Sequence, residues 1–196
     1  MGANQTHQAH QAHQAHQAHQ AHQACLLEGE VLLTTRSHSA WGGAVTAQMY
    51  VPLPRPCVWQ QVTDYPRWVQ FFPDLVQSEI LGDCARNPKR LYQVASKAFW
   101  LLSVQVEIYL KVVETVHQSS WQQIQFCLEK GNFSDFTAHL NLQDYCAGTL
   151  LTYSVAATPN IPVPSSIIQQ AMRLDLPANM RTMRQVICKQ LPVARS

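Results

Sequence analysis

The sequence predicts an α+β domain, in which a curved and mostly antiparallel sheet of six or seven strands wraps around one long C-terminal helix. Three observations carry that prediction. Apolar and polar residues alternate through a series of segments between residues 44 and 155. The turns between the later segments are too short for crossover helices, so successive strands pair antiparallel. From Ser165 onward the apolar spacing becomes helical and holds for roughly twenty residues.

Residues 1–43 read as a leader and linker. His7 to Ala24 is six copies of His-Gln-Ala, with no charge and no large apolar side chain. Such a segment buries nothing that would offset the entropy of ordering it, so it is expected to be disordered or loosely helical. Its evenly spaced imidazoles also suit a weak transition-metal tract. Cys25 to Gly43 is a transition ending in the flexible pair Gly42-Gly43. The domain is then 44–190, with a tail at 191–196.

Val45, Ala47, Met49 and Val51 alternate with Thr46, Gln48 and Tyr50 to give the first strand. Pro52, Pro54 and Pro56 end it, and the last two can open a short helix through Trp59 and Val62. Asp64, before Tyr65-Pro66, stops that helix or caps the next. Arg67 to Phe72 makes roughly one or two further turns before Pro73.

Strand patterns follow at Leu75–Leu81 and Arg90–Ala95. The clearest is Val104, Val106, Ile108, Leu110 and Val112 against Gln105, Glu107, Tyr109 and Lys111. One face is aliphatic and the other carries the charges, so this strand covers a core and keeps its back wet. Ile124, Phe126 and Leu128 repeat the pattern. After the Lys130-Gly131-Asn132 turn, Phe136, Ala138, Leu140 and Leu142 do so again. Phe133 is out of phase with Phe136, which places a bulge at Ser134-Asp135. Leu151, Tyr153 and Val155 form the last strand.

In the C-terminal helix, Ile168, Ala171, Met172, Asp175 and Asn179 lie near one line. Ile167, Leu174, Met180, Met183 and Ile187 broaden its apolar side. Ser165 or Ser166 can cap its start, and Pro177 is expected to kink it by removing one backbone donor. A sheet this long must twist and curl, leaving one concave apolar face. A single helix about 10 Å wide cannot fill that face, so a cavity is expected between them.

Residues 44–187 resemble the START-like superfamily, in the branch of polyketide cyclase/dehydrase or coenzyme Q-binding domains. The resemblance rests on Val51-Pro52-Leu53-Pro54, on Val58-Trp59-Gln60-Gln61-Val62-Thr63-Asp64-Tyr65, and on Trp68 with Phe71-Phe72-Pro73-Asp74-Leu75. A strand beginning near Ser78, the Gly131-Asn132-Phe133 turn and the Leu174-Asp175-Leu176-Pro177-Ala178-Asn179 segment complete it. It implies a helix-grip fold, a deep cavity between sheet and helix, and an apolar ligand. Members of the superfamily include quinone-binding proteins, aromatase/cyclases, lipid carriers and a ribosome-associated toxin, so the resemblance fixes fold better than function.

Composition narrows the function. Hydrophobic residues are 46% and charged residues 13%, which excludes a disordered, solvating chain. A net charge of +2 is too small for a phosphate-tracking surface, so no nucleic acid is expected. No stretch has the roughly 18 uncharged apolar residues of a membrane span, and residues 1–25 lack the apolar core of a secretory signal. The expected location is the cytoplasm, either free or peripheral to a membrane. The six cysteines include no Cys-x-x-Cys pair and read as small hydrophobes, not as metal ligands or disulfides.

The leading expectation is a carrier or chaperone for a quinone, isoprenoid or other lipid-like or polyketide ligand. The expected lining is Val104, Val106, Ile108, Ile124, Phe126, Phe136, Leu140 and Tyr153, closed by Ile168 and Met172 from the helix. Tyr153 either orients the ligand or is a core tyrosine. Tyr92 and Arg173 are weaker candidates at the mouth. No catalytic residue, metal or cofactor is assigned, because no nucleophile and base pair, phosphate loop or ligand set stands out. Trp68, Phe71 and Phe72 either seal the open end of the sheet or form a lid that touches membrane lipid. The alternatives are an aromatase/cyclase or dehydratase, which works by shape and proximity and leaves few sequence marks, and a macromolecule-binding role. Oligomeric state is not readable from these patterns.

Overall fold

The computed structural model describes residues 17, 20–99, 102–117, 121–160 and 164–189; the side chains of residues 37, 97–99, 102–104 and 117 lie outside that description. Most of the His-Gln-Ala tract therefore falls outside the described residues, and residues 20–27 are helical. No helix among the described residues is long and apolar enough to cross a membrane.

Eight strands form one antiparallel sheet: β1 (Leu32–Ser39), β2 (Gly42–Val51), β3 (Leu75–Leu81), β4 (Lys89–Phe99), β5 (Leu102–His117), β6 (Trp121–Gly131), β7 (Phe133–Tyr145) and β8 (Gly148–Pro159). Their order is β1-β2-β8-β7-β6-β5-β4-β3. The count exceeds the expected six or seven because β1 forms a hairpin with β2, pairing Leu32 with Gln48 and Thr34 with Thr46. Its sequence, Leu-Leu-Thr-Thr-Arg-Ser-His-Ser, has no two-residue alternation. An edge strand with little buried surface needs none.

Elsewhere alternation predicts orientation. Val45, Ala47, Met49 and Val51 face inward and are at most 3% exposed. In β7 the register shifts between Phe133 and Asp135, and the bulge brings the rings of Phe133 and Phe136 to 5.6 Å. Gly42 and Gly43 are not a flexible linker; both are buried in β2. A Cβ on Gly42 would stand 2.7 Å from the Ala157 carbonyl oxygen, and one on Gly43 would stand 3.0 Å from the Met172 sulfur. Glycine is required at Gly42 by the approach of the β8 backbone, while at Gly43 a side chain would have to displace Met172 and Gln169 of the C-terminal helix.

Helix α1 (Arg55–Val62) begins after Pro54, with Pro56 in its first turn. It turns Val58 and Val62 inward, both fully buried. The Thr63 hydroxyl donates to the Trp59 carbonyl (2.8 Å) at its end. A 3-10 turn at Tyr65–Arg67 runs into α2 (Trp68–Phe71), and Phe72 is already extended before Pro73. Behind this corner the Tyr65 hydroxyl donates to Glu114 Oε1 at 2.6 Å. Lys89 pairs with the same oxygen, so the buried hydroxyl and the carboxylate satisfy each other.

Helix α3 (Ser165–Lys189) continues through Pro177. Its buried anchors are Leu176, Met180, Met183 and Ile187, all from the middle onward, whereas Ile167 and Leu174 nearer its start are 49% and 68% exposed. The chain before β2 braces the second half. Leu26 is buried, and Glu30 lies 3.8 Å from Arg181. Arg184 Nε donates to the Tyr50 carbonyl at 2.8 Å.

Candidate functional site

The first half of α3 approaches the start of β2 at Gly43, but an apolar cleft of about 250 Å³ remains between it and the strands beyond. Val45 of β2, Tyr153 and Val155 of β8, and Phe136 of β7 form its floor; Ile168, Ala171, Met172, Asp175, Leu176 and Asn179 of α3 form its roof. The helix residues are the single line read from the sequence, because positions three and four apart share a face. A second lobe of about 180 Å³ runs toward α2, between Trp68, Asp74, Leu75, Gln93 and Ala95. Phe72, Tyr153 and Asn179 line both lobes and mark their junction. Each is smaller than a drug-sized site.

Aromatic packing decides why the hollow is shallow. The Trp68 ring stacks on Phe72 at 5.3 Å and lies 5.1 Å from Phe126, while Tyr65 meets Phe126 edge-on at 6.2 Å. The Trp68 indole N–H donates to the Val62 carbonyl at 2.9 Å, which locks the plug. The deep end of the expected cavity is therefore filled by protein.

The expected lining residues separate along this boundary. Phe136, Tyr153, Ile168 and Met172 come together around the cleft. Ile124, Phe126 and Leu140 lie beyond the plug, at most 1% exposed, and belong to the core instead of the cleft wall. Ile108 is likewise buried in the core, and Val106 is half-buried on β5 away from both lobes. Val104 lies in β5, but its side chain is outside the described residues. Alternation had identified the inward face correctly; it could not say which inward residues meet the helix and which meet the aromatic corner. The expected lining lacks Val45, Phe72, Val155, Ala171, Asp175, Leu176 and Asn179, although the phase of Val45, Val155, Ala171, Asp175 and Asn179 is visible in the sequence.

Other expectations are corrected by burial and phase. Trp68 and Phe71 are 3% and 0% exposed and pack into the end of the sheet. Phe72 is half-buried and lines the cleft. Tyr92 stacks on Tyr109 at 4.7 Å across the β4–β5 pair, on the outer face and not at the mouth. Arg173 is exposed and donates to the Thr35 hydroxyl at 2.7 Å.

The polar groups at the junction decide what the cleft can hold. Tyr153 is 7% exposed, and its hydroxyl makes no hydrogen bond among the described residues. Burial raises its pKa above the ordinary tyrosine value, so it stays protonated and can donate but not act as a base at neutral pH. The Asn179 amide likewise makes no hydrogen bond among the described residues. An apolar cleft with one ready donor and one amide at its waist suits an oxygen-bearing hydrophobic molecule. No group of three or more His, Cys, Asp or Glu among the described residues could hold a metal ion.

Residues 51–184, about two-thirds of the chain, match the family model described as polyketide cyclase/dehydrase and lipid transport. The chain belongs to that family. A START superfamily protein from Mycobacterium smegmatis superposes with a TM-score of 0.63 at 16% identity, covering 76% of this chain and 99% of that one. A STAR-related lipid transfer protein from Xanthomonas axonopodis gives 0.61 at 12% identity, with coverage of 80% and 98%. The Zhui aromatase/cyclase from Streptomyces sp. R1128 gives 0.57 at 11% identity, with coverage of 78% and 98%. At these identities the likeness is one of fold. No curated protein matches the sequence. As a member of this family the chain has the START-like fold, which is consistent with hydrophobic ligand binding or with aromatase/cyclase chemistry.

Proposed function

We propose that this chain carries a hydrophobic small molecule, of the quinone, isoprenoid, lipid-like or polyketide kind, in the cleft between α3 and the sheet. The observation that carries this reading is the place where the two pockets meet the same residues, Tyr153 and Asn179, whose side chains line both and make no hydrogen bond among the described residues. A core tyrosine in an apolar setting normally finds a partner for its hydroxyl. Here the partner is the ligand. Tyr153 donates to a ligand carbonyl or hydroxyl oxygen, Asn179 supplies a second donor and an acceptor, and the aliphatic outer lobe takes the tail. Affinity comes from removing apolar ligand surface from water, at about 25 cal/mol per Å² before association costs.

The aromatase/cyclase reading draws on one feature, the inner lobe, where Asp74, Gln93 and Tyr153 surround an aromatic wall. Since Tyr153 stays protonated, the acceptor of a substrate proton would be Asp74. The two readings separate by turnover. A carrier retains an apolar compound unchanged, and a cyclase releases a product with new aromatic absorbance from a linear polyketone. Native mass spectrometry of the chain purified from its own cells is the direct test: a retained apolar compound supports the proposal, and protein of bare mass under gentle conditions contradicts it.

A further inference from the structure

One polar side chain stands in the inward stripe of β4, where alternation leads to an apolar one. Gln93 shares a face with Leu91 and Ala95, opposite Ser78 of β3 and Ile108 of β5. It is 9% exposed, and it lines the inner lobe together with Trp68, Phe72 and Tyr153. Its neighbour fixes which end of the amide points where. The Ser78 hydroxyl donates its single hydrogen to the Tyr65 carbonyl at 2.7 Å, so toward Gln93 it can only accept. Gln93 Nε2 donates to that hydroxyl at 3.1 Å. With the nitrogen anchored, Oε1 is left as an acceptor that makes no hydrogen bond among the described residues.

We infer that Gln93 selects the head group of the ligand, and that this head is an arene bearing a hydroxyl. The inference rests on the proposal that the cleft carries an apolar molecule. The inner lobe, of about 180 Å³, is the size that accepts a single aromatic ring, and the Trp68 and Phe72 rings form part of its wall. Two polar demands then fall on that ring. Tyr153 brings a hydrogen to donate, and Gln93 Oε1 needs one to accept. A hydroxyl meets both, because it accepts with its oxygen and donates with its hydrogen. A ketone, quinone or ether oxygen accepts from Tyr153 but brings no hydrogen. A ring in the lobe also keeps water from Oε1, so the acceptor is then left unpaired. A quinone therefore still binds, but more weakly than the corresponding hydroxyarene. Charged heads fit worse. An anion would face Asp74, and a cation would find that residue already engaged by another group.

Calorimetry of the full chain with para-heptylphenol, its methyl ether and heptylbenzene tests the assignment. The three share ring and tail, and only the phenol can donate. The phenol is expected to bind about tenfold or more tightly than the ether, the discrimination that follows when a buried acceptor loses its partner. In Gln93→Met the phenol should fall to the level of the ether, with heptylbenzene unchanged. Gln93→Asn, which draws the amide back by one methylene, carries the same expectation where the methionine variant does not fold. Equal binding of phenol and ether, or a phenol preference that the Gln93 variants keep, overturns the inference and leaves the carrier reading in place. Binding of none of the three compounds overturns the carrier reading and the inference with it.

Discussion

Replacing Tyr153 by Phe separates a ligand-orienting tyrosine from a core tyrosine by the sign of two effects. The ring lies within reach of Trp68 (6.3 Å) and Phe72 (6.2 Å), and both contacts survive the substitution. Only the hydroxyl leaves. It belongs to a residue only 7% exposed and makes no hydrogen bond among the described residues. A buried polar group without a partner costs about 1–3 kcal/mol, so ligand-free Tyr153→Phe should be more stable than the parent by about 1 kcal/mol, the low end because the cleft admits water. The same change removes one hydrogen bond to ligand, worth about 1 kcal/mol, so affinity should fall about fivefold. Urea titration of the ligand-free proteins reads the first effect, and displacement of a fluorescent apolar probe from the cleft reads the second. A variant that is destabilised by more than 1 kcal/mol, with affinity unchanged, would mean that Tyr153 is a structural residue and that the orienting role is wrong.

Filling the outer lobe with Ala171→Trp should abolish probe binding while leaving the melting temperature within a few degrees, because Ala171 lines empty space. Met180→Ala should cost 2–5 kcal/mol in urea denaturation, since Met180 is fully buried, whereas Leu174→Ala, at a residue 68% exposed, should stay within about 0.5 kcal/mol. Burial raises the pKa of both Tyr65 and Tyr153 above 10.0, with the Glu114 hydrogen bond adding to the effect at Tyr65. A group that holds its proton more tightly when folded keeps its contribution below its unfolded pKa and loses it above. Stability should therefore fall from about pH 10 upward, by up to about 1.4 kcal/mol per pH unit for each tyrosine, and Tyr153→Phe should lower that slope.

How far the sequence reached follows from what each pattern encodes. Two-residue alternation assigns a face, so Val45, Tyr153 and Val155 could be placed inward without coordinates. Helical spacing put Ile168, Ala171, Met172, Asp175 and Asn179 on one line, and that line is the cleft roof. Alternation does not encode depth. Phe126 and Tyr153 both point inward, but Phe126 is enclosed by Trp68 and Tyr65 while Tyr153, beside Trp68 and Phe72, also borders the cleft, and that difference is made by the turn at Tyr65–Arg67 folding α2 over the sheet end. The edge strand β1 escaped because it buries too little for its sequence to alternate. Gly42-Gly43 suggested flexibility, whereas close approach by the Ala157 backbone is what requires glycine at Gly42.

Amide chemical shifts of the labelled chain, followed while a short-chain prenylquinone is added, test the central claim most directly. Saturable changes confined to Val45, Phe72, Tyr153, Val155 and residues 168–179 are the predicted result. No change, or changes centred on the buried side of Phe126 and Leu140 with the α3 amides undisturbed, would contradict it.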